Sequence, residues 1–166
     1  MKPLLNRRVL SISVHSQSLG FVAFAGPQTL IDWGVRSFRG GVNTVKIPMK
    51  AKLSLLFDVY RPDAIVVSEP TTLKRRKKVH AIVKLAQAKR IPVKLLSWKA
   101  VQPAFPADNQ NKYHVAAAIA ARYPELLPCL PAPRKTWQSE KYGIDIFEAT
   151  AIGVVYYSRK ATATKT

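Results

Sequence analysis

The sequence predicts an α/β protein with a mixed central sheet, an antiparallel three-strand meander followed by parallel strands, flanked by helices. Three observations predict it. Three apolar runs joined by short turns follow one another from Val9 to Phe38. Beyond them, stretches of helical periodicity alternate with short unbroken apolar runs. The 166 residues are 48% hydrophobic, which is enough for one domain with a buried core.

The first run, Val9-Leu10-Ser11-Ile12-Ser13-Val14, is apolar or small and β-branched at Val9, Ile12 and Val14, the composition of a buried strand. His15-Ser16-Gln17-Ser18 is polar, and Leu19 to Ala25 is the second run. Gly26-Pro27 turns the chain, and Thr29 to Phe38 is the third. A central strand that ends in a short polar loop is a natural position for a catalytic side chain. Arg39 to Asn43, with two glycines, reads as a flexible connection.

From Pro48, the residues Met49, Leu53, Leu56, Phe57 and Tyr60 share one helical face, and Arg61-Pro62 ends the helix. Ala64-Ile65-Val66-Val67-Ser68 has the unbroken apolar character of a strand covered on both faces. Lys74-Arg75-Arg76-Lys77-Lys78 opens a helix to about residue 90, with Val79, Ile82, Val83 and Ala86 as its apolar stripe. Ile91 to Leu96 reads as a strand, with Pro92 near its start. Asn109 or Asn111 caps a helix through the alanine-rich stretch Val115 to Ala121, and Pro124 ends it. Leu126 to Lys141 reads as a proline-broken loop carrying Trp137, and a last helix runs from about Ile144 to Tyr157. The organisation is a basic, loose lead-in at 1–8, one domain at 9–157, and a basic, threonine-rich flexible tail at 158–166.

Charge narrows the function. There are 27 Lys and Arg against 9 Asp and Glu, a net charge of +18. The isoelectric point is near 10.4. A folded domain this basic faces a polyanion, with nucleic acid first and an acidic membrane surface a weaker second. No apolar stretch approaches the ~20 residues that cross a bilayer, and no signal peptide is read, so a cytoplasmic protein without membrane partners is expected. The single Cys129 makes no intrachain disulfide, and no Cys/His cluster has zinc spacing. Between Lys74 and Lys99 the sequence has ten basic residues and no acid. Lys74, Arg75, Arg76, Lys77, Lys78 and Lys84 are therefore candidate phosphate contacts. Trp137 is a candidate for stacking on unpaired bases, whereas Trp98, beside a strand, is expected in the core.

With so few carboxylates, their positions are informative. Asp32, Asp58, Asp63, Asp108, Glu125 and Glu140 fall in helix faces, turns or loops, where solvated charge is expected. Glu69 stands at the exit of a buried strand, and Asp145 and Glu148 lie on one face of an otherwise apolar helix. Either Asp145 caps that helix after Gly143 while Glu148 faces water, or the acids hold a divalent cation. Hard oxygen ligands suit Mg²⁺ or Mn²⁺, and phosphodiester cleavage uses such ions.

In order and residues the chain resembles the RuvC-type Holliday-junction resolvases of the RNase H-like nuclease superfamily, from about Val9 to Tyr157. Ser11-Ile12-Ser13-Val14-His15-Ser16, with Gly20 after it, resembles the family's opening strand and the glycine of its second. Leu30 to Phe38 resembles the third strand, and Arg61-Pro62-Asp63 before Ile65-Val66-Val67 resembles the step to the second acid. Asn111-Lys112-Tyr113-His114-Val115 resembles the stretch that carries a lysine near the scissile phosphate. Asp145-Ile146-Phe147-Glu148-Ala149 resembles the closing Asp-x-x-Asp-Ala, with Glu in the second place.

The resemblance implies an RNase H-like fold. It implies Glu69, Asp145, Glu148, Lys112 and Ser13 at a catalytic site, the three acids as ligands of Mg²⁺ or Mn²⁺, and DNA rather than RNA as partner. It further implies a two-fold homodimer and a place in DNA recombination or repair. The sequence departs from the family at two points. The first catalytic aspartate falls on Ser13, a neutral hydroxyl, and the second acid falls on Ser68 or Glu69, depending on a one-residue register. His15 is read as a loop or phosphate-facing side chain, with a nitrogen ligand as the alternative. Three readings stand: a metal-dependent, structure-selective endodeoxyribonuclease; a catalytically degenerate nucleic-acid-binding protein; or a basic structural component of a nucleoprotein assembly.

Overall fold

The computed structural model describes residues 2–38, 48–105, 111–131 and 143–164. The three early runs form β1 (Val9–Val14), β2 (Ser18–Gly26) and β3 (Thr29–Ser37), and β4 (Ala64–Ser68) and β5 (Val93–Leu96) complete one five-stranded sheet. Its order is β3-β2-β1-β4-β5. β1–β2 and β2–β3 are antiparallel; β1–β4 and β4–β5 are parallel. The expected meander and parallel strands are therefore present. β1 is buried at every position, as its unbroken small and apolar sequence requires.

Helices cover both faces. α1 (Met49–Tyr60) and α2 (Leu73–Ala88) pack with Leu10, Ile12, Val14, Ile65 and Val67 on one side. α4 (Lys112–Arg122) and α5 (Gly143–Thr164) pack with Val9, Val22, Phe24, Ala64 and Val66 on the other. Strand alternation explains the split, since residues two apart share a face. A short α3 (Trp98–Val101) follows β5, with a 3-10 turn that contains Pro103 after it. No helix among the described residues is long and apolar enough to cross a membrane.

Three local expectations change. The lead-in is fastened: a 3-10 turn spans Leu4–Asn6, Lys2 pairs with Asp63 at 3.1 Å, and the Arg8 N–H donates to Asp63 at 2.9 Å. Part of the expected proline loop is a 3-10 helix, Pro124–Cys129, with Leu126 buried. α5 continues to Thr164, through most of the segment read as a tail. No Gly or Pro interrupts the chain after Gly153. Tyr157 anchors the helix inside the core, donating to the Arg7 carbonyl at 2.5 Å and lying edge-on to Phe24 at 5.6 Å. Arg39 to Asn43, Asn109, Glu140 and Trp137 lie outside the described residues.

Candidate functional site

β1 and β4 run parallel, with Ile12 level with Val67, so both strands end at one edge of the sheet. Ser11, Ser13 and His15 alternate onto the face that α5 covers. The helix lies close to the strands because small residues let it. Ser13 is paired with Gly20 across β1 and β2. A Cβ at Gly20 would overlap the Asp145 carbonyl and stand 2.7 Å from Asp145 Cβ. A Cβ at Gly153 would stand 2.7 Å from Phe24 Cζ. Ser11 Oγ donates to the Ala149 carbonyl and ties strand to helix.

This close approach brings the first turns of α5 onto the end of β1. Asp145 lies in the first turn and is only 6% exposed. Its Oδ2 accepts from Ser18 Oγ at 2.9 Å. Glu148 Oε2 accepts from Ser13 Oγ at 2.8 Å. His15 enters between the two acids: its Nε2 is 2.8 Å from Glu148 Oε2, 3.2 Å from Asp145 Oδ1 and 3.0 Å from Ser13 Oγ. Lys112 Nζ reaches the other Glu148 oxygen at 2.7 Å. Asn111 caps α4, accepting from the Tyr113 and His114 N–H groups at 2.7 and 3.3 Å, and so fixes Lys112 in the first turn. A cation there opposes the helix dipole, so the Glu148 carboxylate, not the helix, is what favours its charge.

The electrostatics follow from that geometry. Burial by itself pushes the Glu148 carboxyl up. The hydrogen bond and charge of His15, and then those of Lys112, outweigh burial and hold it down at about 2. One ring nitrogen of His15 serves Ser13, Asp145 and Glu148 alike. A relay that activates a serine needs its two ring nitrogens on different partners, so the cluster is an ion-pair network and not a nucleophilic triad.

Glu69 is placed apart from this cluster. Ser68, the last residue of β4, accepts the Val14 N–H on its hydroxyl at 2.9 Å, so a serine occupies the in-strand position beside β1. Glu69 lies just beyond, exposed, its N–H donating to the Leu96 carbonyl at 2.9 Å. Among the described residues its carboxylate makes no hydrogen bond or ion pair. It faces a cavity of about 420 Å³, whose lining also includes Ser13, Arg75, Trp98, Lys99 and Lys112. Trp98 is half-buried at that cavity instead of enclosed in the core.

The basic helix contributes unevenly. Arg75 lines the cavity, and Lys78 Nζ donates to the His15 carbonyl at 3.3 Å and to the Ser16 carbonyl, which holds the loop carrying His15. Burial, then the charges of Lys74 and Arg75, pull the Lys78 pKa down. Lys74, Arg76 and Lys77 are exposed. Lys84 lines a separate hollow with Lys50 and Leu53 and is not part of this site. The first turn of α2 contains no acid.

The implied Mg²⁺ or Mn²⁺ has a poor fit to this donor set. Among the described residues, no three His, Cys, Asp or Glu side chains form a group that could hold a metal ion. A hard dication asks for several oxygen donors with free lone pairs around one point. Here both carboxylates already contact one imidazole, a lysine ammonium bears on one of them, and Ser13 spends its hydrogen on Glu148.

Sequence reasoning brought Ser13, Lys112, Asp145 and Glu148 forward, and the fold brings them together. It missed Ser18, and it did not see His15 as the group between the acids. The available signal was the two-residue spacing of Ser13 and His15, which places them on one face.

The fold is RNase H-like. More narrowly, it is the fold of the RuvC-type Holliday-junction resolvases. The chain is similar over 94% of its length to Thermus thermophilus RuvC solved in complex with a Holliday junction substrate, covering 97% of that chain at 20% identity and a TM-score of 0.63. It is similar over 99% of its length to the yeast mitochondrial Holliday junction resolvase, covering 85% of that chain at 12% identity and a TM-score of 0.65. It is also similar over 92% of its length to the fowlpox virus Holliday junction resolvase, covering 99% of that chain at 11% identity and a TM-score of 0.57. No family model and no curated protein matches the sequence.

Proposed function

We propose that this protein binds branched DNA on a resolvase scaffold and that its acidic site is neutralised by its own side chains in place of a metal ion. One observation carries the reading: His15 Nε2 lies between Glu148 and Asp145, at 2.8 and 3.2 Å, with Lys112 on the far Glu148 oxygen. The carboxylates then repel phosphate weakly, and the +18 charge acts on a polyanion without a dication as intermediary. Arg75 and Lys99 line the cavity above the pair. Two similar structures were solved with Holliday junction DNA, which supports a four-way junction as ligand here. A junction presents two equivalent halves, so a two-fold pair of chains is part of the reading.

The competing reading is a cleaving enzyme that recruits Mg²⁺ or Mn²⁺, and it draws on the convergence of Asp145 and Glu148 at the end of β1. Labelled four-way junction, duplex and RNA, mixed with the protein in EDTA and then in Mg²⁺ or Mn²⁺, separate the two. The expected result is junction binding in EDTA, weakening steeply between 50 and 200 mM salt, and an intact junction in either metal. Cleavage by the wild type that Asp145→Asn abolishes establishes the enzyme instead. An absence of salt-dependent binding removes both.

A further inference from the structure

The ion-pair cluster leaves two cavity residues without a task, Glu69 and Trp98. A channel that only followed a phosphate backbone would be cationic throughout. This one has an exposed carboxylate on its wall and an indole beside it. Among the described residues the Glu69 carboxylate makes no hydrogen bond or ion pair, so an acceptor with two oxygens faces the cavity unengaged. The indole is half-buried and packs on the core side of the sheet, which fixes it as a rigid surface. Arg75 and Lys99 supply positive charge at the same opening.

These four groups together suit a ligand with a flat face, an edge of N–H donors and a phosphate. We infer that the cavity receives one unpaired nucleotide of the bound strand. Its base lies against Trp98, its N–H edge is turned to Glu69, and its phosphate is held by Arg75 and Lys99. This rests on the DNA-binding reading and deepens it. The volume, about 420 Å³, is within the range of roughly 300–1,000 Å³ in which small ligands are enclosed. Stacking on an aromatic tolerates any base. The carboxylate discriminates: guanine offers adjacent N1–H and N2–H groups to its two oxygens, whereas thymine offers one N–H between two carbonyls that repel it. The site therefore favours an unpaired guanine over an unpaired thymine.

The test uses the full chain and four duplexes, alike except for a single bulged guanine, a bulged thymine, a bulged abasic residue, or no bulge. Affinities are measured by fluorescence anisotropy at fixed salt. The order expected is guanine, thymine, abasic, with about 10-fold between guanine and thymine and about 10-fold between thymine and abasic. In Glu69→Gln the guanine preference falls below about 2-fold, because an amide presents one oxygen in place of two. Glu69 is exposed, so this variant carries little risk to folding. In Trp98→Ala the thymine and abasic duplexes become equivalent, and Trp98→Phe restores the gap. Equal binding of all four duplexes by the wild type overturns the nucleotide pocket and leaves DNA binding standing. Binding to none of them overturns the nucleotide pocket alone when the four-way junction is still bound, and overturns both when it is not.

Discussion

In a His15→Ala variant, the carboxylates of Glu148 and Asp145 lose the ring nitrogen that stands 2.8 and 3.2 Å from them, while Lys112 stays on Glu148 at 2.7 Å. The side chains of His15, Asp145 and Glu148 are 9–13% exposed, so water replaces little of the lost contact. The magnitude follows from Glu148. Its pKa falls from an ordinary 4.5 to about 2 against the opposing effect of burial, and His15 is the larger of the two causes of that fall. At about 1.4 kcal/mol per pKa unit, the net fall amounts to about 3 kcal/mol, to which His15 and Lys112 both contribute. Removing one partner of a buried pair characteristically costs about 3–5 kcal/mol, in agreement. For a domain of this size that lowers the melting temperature by roughly 6–12 °C. The assay is urea unfolding at pH 6 in EDTA, repeated with 10 mM Mg²⁺. The two carboxylates, no longer bridged, then attract the dication. A dissociation constant near ~1 mM would return about 1.4 kcal/mol to the variant and nothing to the wild type. A loss below ~1 kcal/mol in EDTA, against the ~3–5 expected of a broken buried pair, or an equal rise with Mg²⁺ in both proteins, refutes the reasoning.

Three further outcomes are expected. Because the folded pKa of Glu148 lies below its ordinary value, its contribution is complete above about pH 4.5 and is lost as pH falls toward about 2; urea midpoints from pH 6 to 2 record that loss, and Glu148→Gln flattens it. Gly20→Ala drives a Cβ into the Asp145 carbonyl, which is backbone and cannot swing aside, so it destabilises by about 2–3 kcal/mol, read as a lowered thermal midpoint. Lys74→Ala, Arg76→Ala and Lys77→Ala each remove an exposed cation, and each reduces the slope of log K against log salt by about 0.9 if that side chain meets a phosphate.

Much of this fold was legible because burial imposes strong patterns. β4 matches its apolar run from Ala64 to Ser68, and α1 begins and ends where Pro48 and Arg61-Pro62 require. The stripe of Val79, Ile82 and Ala86 is the buried side of α2. What failed was decided by distant residues. The polar end of α5 read as a tail, yet Tyr157 pins the helix through contacts to Phe24 and Arg7, which no local pattern encodes. Asp145 and Glu148 were legible as one helical face, since three residues separate them. Their meeting with His15 depends on α5 lying over β1, a contact between residues far apart in sequence. The second acidic position turned on a single step of register. The Ser68 hydroxyl against Val14 N puts serine in the strand and Glu69 beyond its end.

The serine at position 13 and the histidine two residues later have one physical explanation. Two carboxylates buried in one site need partners for their oxygens. The chain supplies His15 and Lys112, each within 3 Å of a Glu148 oxygen, and His15 also faces Asp145. A third carboxylate at position 13 would stand in contact with the Glu148 carboxylate, like charge against like. A serine there donates to Glu148 at 2.8 Å and adds no charge. Ser18 does the same for Asp145 at 2.9 Å. The two hydroxyls add hydrogen bonds to the carboxylates beside those of His15 and Lys112, all from groups the fold itself positions.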